Sequence, residues 1–273
     1  MATLFLVATP IGNLEDLSPR AQRILKNAEL IAAEDTRHSG KLLKHFEIST
    51  PLTSYFAHNE RAKLDEVLAA LDHGDVALIS DAGMPAINDP GYLLVRAALE
   101  AGHEVSPIPG PSAPIAALAA SGLPTDQFLY LGYPSRKAGE RRQALEAVAS
   151  LPYTLVFLES PHRLLPTLQD LHTALGERRV AVAAELTKMY ERFFRGSLSA
   201  AIEFYTGEPA RGEFTLVVEG AQAYEGAWSR EKVLAALQAV GEDETPSQLA
   251  RRVAAEAGWA RSQVYDLLKE LRR

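Results

Sequence analysis

The stretch Val76–Gly91, VALISDAGMPAINDPG, constrains this chain more than any other. Four apolar residues, Val76-Ala77-Leu78-Ile79, run without interruption and stop at Ser80-Asp81-Ala82-Gly83-Met84-Pro85. An apolar run that ends in turn residues reads as a buried strand. Asp89 as N-cap and Pro90 as first helical residue then open the apolar segment Tyr92–Leu99, which closes at Gly102. The pattern is buried strand, glycine-bearing loop, helix. In an open α/β sheet such a loop lies at the carboxyl end of a strand, where small molecules bind. Gly83 admits a close backbone approach, and Asp81 can accept from a hydroxyl or an ammonium. An ordinary strand–helix connection with a turn aspartate is the plainer alternative.

The same alternation runs through most of the 273 residues. Strands are predicted at Leu4–Ala8, Leu30–Ala33, 52–55 and His103–Pro107, with helices between them and a small-residue helix at Ala113–Ala120. Gly122-Leu123-Pro124 marks a boundary. Beyond it, strands are predicted at Phe128–Leu131, Thr154–Leu158, Val180–Ala184, Glu191–Arg195 and Phe214–Glu219. From about residue 226 the pattern is helical, over 231–239, 247–257 and 261–271. The expected architecture is two α/β domains, 1–121 and 122–222, and a small helical region, 223–273. That last region is either a docking or oligomerisation element or a helix-turn-helix.

Composition removes several classes of function. No cysteine is present, which excludes disulfides and thiolate chemistry. No apolar run approaches ~18 residues, so no membrane span is expected. The first residues read as a strand rather than a signal peptide, which fits a cytoplasmic location. A net charge of −7 argues mildly against a polyanion partner but leaves room for local basic patches. Three such groups exist: Arg20, Arg23 and Lys26; Arg37, Lys41 and Lys44; and Arg136, Lys137, Arg141 and Arg142. Solvated helix faces are the alternative for all three.

Two styles of loop follow the strands. Thr9-Pro10-Ile11-Gly12-Asn13, Ser80–Pro85 and Pro109-Gly110-Pro111-Ser112-Ala113 are small, kinked and poor in charge. Neither GxGxxG nor GxxxxGK[ST] occurs, so such loops suit a nucleoside better than a triphosphate. Glu34-Asp35-Thr36-Arg37, Glu159-Ser160-Pro161-His162-Arg163 and Glu185-Leu186-Thr187-Lys188 are charged. Brought to one sheet edge they would gather acid, base and hydroxyl groups around a cleft. Salt-bridged helix starts are the competing explanation. The histidines are scattered, without metal-ligand spacing, and no serine-nucleophile elbow appears.

The motifs VATPIGNLEDLSPRA (Val7–Ala21), AEDTR (Ala33–Arg37), HNE (His58–Glu60), SDAGMPAINDPG (Ser80–Gly91), PGPSA (Pro109–Ala113), ESPHR (Glu159–Arg163), ELTK (Glu185–Lys188) and GEFTLVV (Gly212–Val218) occur in this order. In this combination the chain resembles the tetrapyrrole methylase superfamily of S-adenosylmethionine-dependent methyltransferases (class III). Within it, the chain is similar to bacterial enzymes that methylate the ribose 2′-oxygen of a cytidine in the decoding region of small-subunit ribosomal RNA. The resemblance implies a methyl donor in the cleft between two α/β domains, no metal, and a homodimer acting on the RNA or the assembled small subunit. For donor contacts it points to Pro10, Asp81, Met84, Ala86, Ser112, Ala113 and Ser160. Tetrapyrrole-modifying relatives usually carry GxGPGD in the first loop; Ala8–Asn13 departs from that, which counts against a porphyrin or corrin substrate. A non-catalytic RNA- or nucleoside-binding module is the alternative from another class.

For the chemistry, Lys188 is expected to polarise the acceptor hydroxyl or take its proton, if desolvation depresses its pKa. Asp35 and Glu185 would orient Lys188 or act as base themselves. Arg37 and Asn59 would hold a phosphate or base edge, and Arg136, Lys137, Arg141 and Arg142 the RNA backbone.

Overall fold

The computed structural model describes residues 2–207, 210–221, 228–238, 245–259 and 261–271. Its first sheet contains β1 (Thr3–Val7), β2 (Leu30–Ala33), β3 (Leu52–Ser54), β4 (Val76–Ile79) and β5 (Glu104–Ile108), in the order β3-β2-β4-β1-β5. Every pairing in it is parallel. Parallel strands are covered on both faces, and the unbroken apolar run of β4 is the result: all four of its residues are buried. Helices α1 (Pro19–Asn27) and α2 (Thr36–His45) cover one face through Ala21, Leu25, Leu42 and Leu43. On the other face, α3 (Glu60–Leu71) and α4 (Tyr92–Glu100) bring in Val67, Leu71, Leu94 and Ala98.

One start signal is corrected. The N-cap of α4 is Gly91, with φ of 137°, and not Asp89. The chain makes two further left-handed steps at Ala86 and Asn88 before the helix begins. Asp89 is left free of capping and turns toward the cleft.

The second sheet is mixed. Its strands are β6 (Phe128–Tyr130), β7 (Thr154–Glu159), β8 (Arg179–Ala184), β9 (Arg192–Ser197) and β10 (Phe214–Val218), ordered β6-β7-β10-β8-β9. β6 and β7 are parallel, while β10 runs antiparallel to both β7 and β8. Phe214 therefore pairs with Glu159 on one side and Ala184 on the other. The ends of β7 and β8 and the start of β10 share one sheet edge. Alternation divides the faces. Val180, Val182, Leu216 and Val218 meet α6 (Ala138–Val148), α7 (Leu164–Leu175) and α8 (Leu198–Gly207). Ala181, Ala183 and Val217 meet α5 (Ala113–Ser121).

Helix α5 leaves the first sheet's last strand but packs on the second sheet. Its Ala117 and Leu118 are buried there, and small side chains let the helix lie close. It ties the two α/β units together directly above the cleft. The described part of the tail is α9 (Arg230–Gln238), α10 (Pro246–Ala257) and α11 (Arg261–Leu271), packed on a core of their own. Residue 239, to which the sequence pattern extends α9, and the expected boundary at 222–226 lie outside the described residues. Among the described residues no helix is long and apolar enough to cross a membrane.

Candidate active site

The loops after β1 and β4 are neighbours because the strands are. Thr9 N–H donates to Gly83 O at 2.9 Å, and Gly83 N–H returns a bond to Thr9 O at 3.1 Å. Buried Thr9 adds a hydroxyl bond to Ser80 O at 3.1 Å. The Ser80–Pro85 loop is thus pinned by the Thr9–Asn13 loop. The second α/β unit closes on both at two points. A Cβ on Gly12 would stand 2.8 Å from Thr187 Oγ1 and 2.9 Å from Leu186 O, so only glycine admits the 186–188 loop. Gly132, at φ of 61°, lies against the Asn88 side chain with no room for a Cβ.

Between these points lies a cavity of about 310 Å³. Ile11, Met84 and Leu186 give it apolar walls, and Ser112 and Ala113 at the start of α5 close one side. Four carboxylates line it: Glu34, Asp81, Asp89 and Glu213. Burial raises Asp89 to about 6; a bond from Ser80 opposes this, and the charges of Glu34 and Asp81 add to it. Glu34 is raised chiefly by burial too, against the Asp81 N–H that it accepts, with the charges of Asp81 and Asp35 adding. Tyr130, also in the wall, is held at about 12 by burial and stays a neutral donor.

A second cavity, of about 480 Å³, shares Ile11, Asp81, Ala82 and Glu213 with the first. It adds Pro10, Leu14, His38, Lys41 and Lys188. Lys188 Nζ donates to Glu185 Oε1 at 2.9 Å and to Glu213 Oε2 at 3.1 Å. Glu185 Oε1 also accepts the Glu213 N–H at 2.9 Å. Burial alone would lower the lysine. The two carboxylates outweigh it, so its pKa is raised. The expected depression is therefore corrected: Lys188 stays a cation and a donor at neutral pH. Glu185 moves the other way, because its bonds from Lys188 and Glu213 N–H outweigh its own burial and hold it below the ordinary carboxylate range.

Asp35 is an N-cap. Its Oδ1 accepts from Arg37 N–H at 2.8 Å, and the Arg37 guanidinium binds it at 2.9 Å. The Arg37 side-chain bond, reinforced by the backbone bond, lowers it to about 2. A carboxylate so placed is a poor base. It reaches the cleft through its own N–H, which donates to Asp81 Oδ1 at 3.1 Å.

Of the residues expected to meet the donor, Asp81, Met84, Ser112 and Ala113 line the first cavity, and Asp81 and Pro10 the second. Ala86 and Ser160 line neither. Ala86 takes the left-handed turn beside Gly91, with its Cβ facing that glycine. Ser160 N–H serves the buried Glu159 carboxylate at 2.8 Å, which also accepts from Thr167 at 2.6 Å and Arg163 at 3.0 Å. The Asn59 side chain is spent on its own turn, accepting from Phe56 N–H at 2.7 Å and donating to Ser54 O at 3.2 Å. Arg141 departs from the basic patch. It is buried, 2.5 Å from Asp170, and donates to Ser135 O at 3.0 Å, because its helix turns it onto α7. Arg136, Lys137 and Arg142 are exposed. Sequence reasoning missed Glu34, Asp89, Tyr130, Tyr133 and Glu213 as lining residues. Glu34 and Glu213 lie inside the AEDTR and GEFTLVV motifs, and Asp89, ahead of Pro90, has the local pattern of a helix cap.

The family described as Tetrapyrrole (Corrin/Porphyrin) Methylases matches residues 3–202. The chain belongs to that family. Among relatives, it is similar to a Ribosomal RNA small subunit methyltransferase I from Synechocystis sp., 50% identical over 277 residues and covering 99% of each chain. The protein of the same name from Escherichia coli O157:H7 is 47% identical, over 93% of this chain and 89% of that one. Two solved structures share the fold at low identity. The uroporphyrin-III-C-methyltransferase from Thermus thermophilus superposes with a TM-score of 0.56 at 23% identity, over 80% of this chain and 94% of that one. The methyltransferase CobJ gives 0.60 at 19%, over 81% and 95%. The two α/β units described above are the fold of the tetrapyrrole methylases.

Proposed function

We propose that this chain transfers a methyl group from S-adenosylmethionine to the ribose 2′-oxygen of a cytidine in the decoding region of small-subunit ribosomal RNA. The observation that carries the proposal is a pair of adjoining cavities with Asp81 and Glu213 in both and Lys188 only in the second. The first cavity suits the donor. Its apolar walls match a nucleoside and a methylene chain, and its carboxylates match a sulfonium and an ammonium. Asp81, Ser112 and Met84 would hold it. Bound there, the donor supplies a methyl group on a cationic sulfur, whose bond breaks as the new carbon–oxygen bond forms.

The chain's own residues align and activate the acceptor. Lys188, kept protonated, donates to the hydroxyl oxygen and stabilises the charge that develops on it. The hydroxyl proton passes to Glu213, the more exposed of the two carboxylates that clamp Lys188. Lys41 and His38 flank the acceptor cavity, and Arg37, Arg136, Lys137 and Arg142 supply phosphate contacts further out. The named relatives support RNA over a tetrapyrrole, as does the first loop. A homodimer, a cytoplasmic setting and the domain limits 1–121, 122–222 and 223–273 belong to the same proposal.

The test is methyl incorporation from labelled donor into small-subunit particles and into naked RNA, with the labelled nucleotide mapped. No label in either overturns the proposal and leaves the non-catalytic module standing. Neutralising Arg136, Lys137 and Arg142 together should weaken RNA binding and flatten its salt dependence, by roughly 0.7–0.9 in log–log slope per lost contact. Arg141→Ala should instead cost stability, on the order of 2 kcal/mol, since it removes the buried partner of Asp170 and leaves only the more exposed Arg142, at 3.6 Å.

A further inference from the structure

Lys188 is followed by two side chains with no evident place in the fold. Met189 and Tyr190 are 89% and 77% exposed, the most exposed large hydrophobic residues among those described. The next aromatic residues on the chain are absorbed by packing. Arg195 lies over the Phe193 ring at 4.3 Å, and Phe194 meets Phe204 at 5.3 Å.

Exposure here is not slackness. Glu185 and Thr187 both take left-handed backbone, at φ of 52° and 64°, which non-glycine residues adopt only when the surroundings impose it. Lys188 N–H donates to Glu185 O at 3.0 Å, Glu191 N–H to Lys188 O at 3.0 Å, and Thr187 N–H to Glu191 Oε2 at 2.6 Å. Gly12 of the other α/β unit closes against 186–188. The turn is fixed at its base and leaves Met189 and Tyr190 exposed directly after Lys188, which lines the second cavity.

We propose that Met189 and Tyr190 form a stacking platform for a base of the acceptor RNA strand, which registers the ribose of the target nucleotide against Lys188. This inference rests on the RNA-methyltransferase reading above. A ribose can enter a pocket only if its nucleotide leaves the helical stack, and an exposed aromatic face replaces part of the stacking that is lost. A ring beside a thioether provides such a face without charge. This is why the platform is distinct from the cationic residues that meet phosphates.

The test compares Tyr190→Ala, Tyr190→Phe and Met189→Ala in the full chain. The readouts are kcat/KM with small-subunit particles, donor affinity by calorimetry, the salt dependence of RNA binding, and mass in solution. Tyr190→Ala should lower kcat/KM for RNA by roughly 5- to 150-fold, the range for losing one stacked base. Donor affinity and the salt slope should not change, because a stacking contact releases no counterions. Tyr190→Phe keeps the ring and should keep the activity; Met189→Ala should show a smaller loss than Tyr190→Ala. A 2-aminopurine placed beside the target cytidine in an RNA fragment should be quenched by the wild type and not by Tyr190→Ala. Unchanged kcat/KM in Tyr190→Ala overturns the platform, as does a Phe variant as impaired as the Ala variant. A fall in mass on Tyr190→Ala would assign the tip to contact between copies of the chain instead. A wild type that transfers no methyl to RNA sinks the function itself, an outcome separate from these.

Discussion

Glu34 and Asp89 in the first cavity and Asp35 and Glu185 beside the second are carboxylates a few residues or one strand apart, yet their protonation is pushed in opposite directions. Burial without a cation raises the first pair, Asp89 to about 6. Ion pairing lowers the second pair, Asp35 to about 2 through Arg37 and Glu185 through Lys188. The difference teaches how one cleft can serve two ligands. The first cavity carries acidic groups without a cation of its own among the lining residues, so a cationic ligand relieves their burial. In the second, the positive charge is already supplied by the protein, and what is left for a ligand is a polarised donor. The shared carboxylates, Asp81 and Glu213, stand where the two environments meet.

The strongest way to break this comparison is at Lys188. Lys188→Met should lower single-turnover methyl transfer by about 10²–10⁴-fold with donor affinity intact. Because its carboxylates keep Lys188 protonated, Lys188→Arg should recover a measurable part of the rate. An arginine variant as slow as the methionine variant would return the proton-acceptor role to Lys188. Glu213→Gln tests the other half of the pair. It keeps the shape and should lose about 10²-fold in the same assay, toward the low end for a proton acceptor; a near-normal rate would move that role to Glu185.

Asp81→Asn sharpens the contrast on the donor side. The amide oxygen can still accept from Asp35 N–H, so the variant removes charge and little else. Donor affinity should fall by roughly 10- to 150-fold, the equivalent of about 1.5–3 kcal/mol. Calorimetry showing an unchanged Kd would take Asp81 out of the donor site.

Asp89 gives the smallest effect and the clearest sign. Its folded pKa, about 6, exceeds the ordinary aspartate value, so the native state holds this proton more tightly. The group costs nothing below its unfolded pKa, near 4, and the cost grows as pH rises through about 6. Asp89→Asn should therefore stabilise the free protein above pH 6 and not below pH 4. Solvent screening of a partly exposed group brings the gain to on the order of 1 kcal/mol. Donor affinity in the wild type should strengthen as pH rises through about 6, and the variant should flatten that rise. Thermal melts and titrations across pH 4–8 would check both; an equal gain at every pH would refer the effect to packing rather than charge. Glu185 has the opposite sign. Its folded pKa is depressed, so the stability that it lends is present above the unfolded value and lost as pH falls through the folded one.

Local chemistry made much of the molecule legible in advance. The unbroken apolar run of β4 meant a strand covered on both faces, and the turn residues after it meant a loop at a sheet edge. The motif order carried the family. The sequence misled where a residue with a local signature has its partners elsewhere in the fold. Asp89-Pro90 has the composition of a helix start, yet Gly91 follows it at φ of 137° and the helix begins only at Tyr92. Arg141 reads like its neighbours in a basic run, yet the helix phase buries it against Asp170, while Arg142 reaches the same carboxylate from the surface.

The sequence by itself determined the alternation of strands and helices, the kinked loops that end the strands, and the inventory of charges. Only the tertiary structure decided which of those charges meet. Glu213 reaches Lys188 because β10 runs antiparallel beside β8, so a residue 25 positions away starts where the other strand ends. That pairing, together with the closure of Gly12 on the 186–188 loop, turned an expected depressed lysine into a clamped cation. A pKa is set by what lies within a few ångströms in space. Neighbours along the chain supply only part of that, and the rest is chosen by how the sheets are wound.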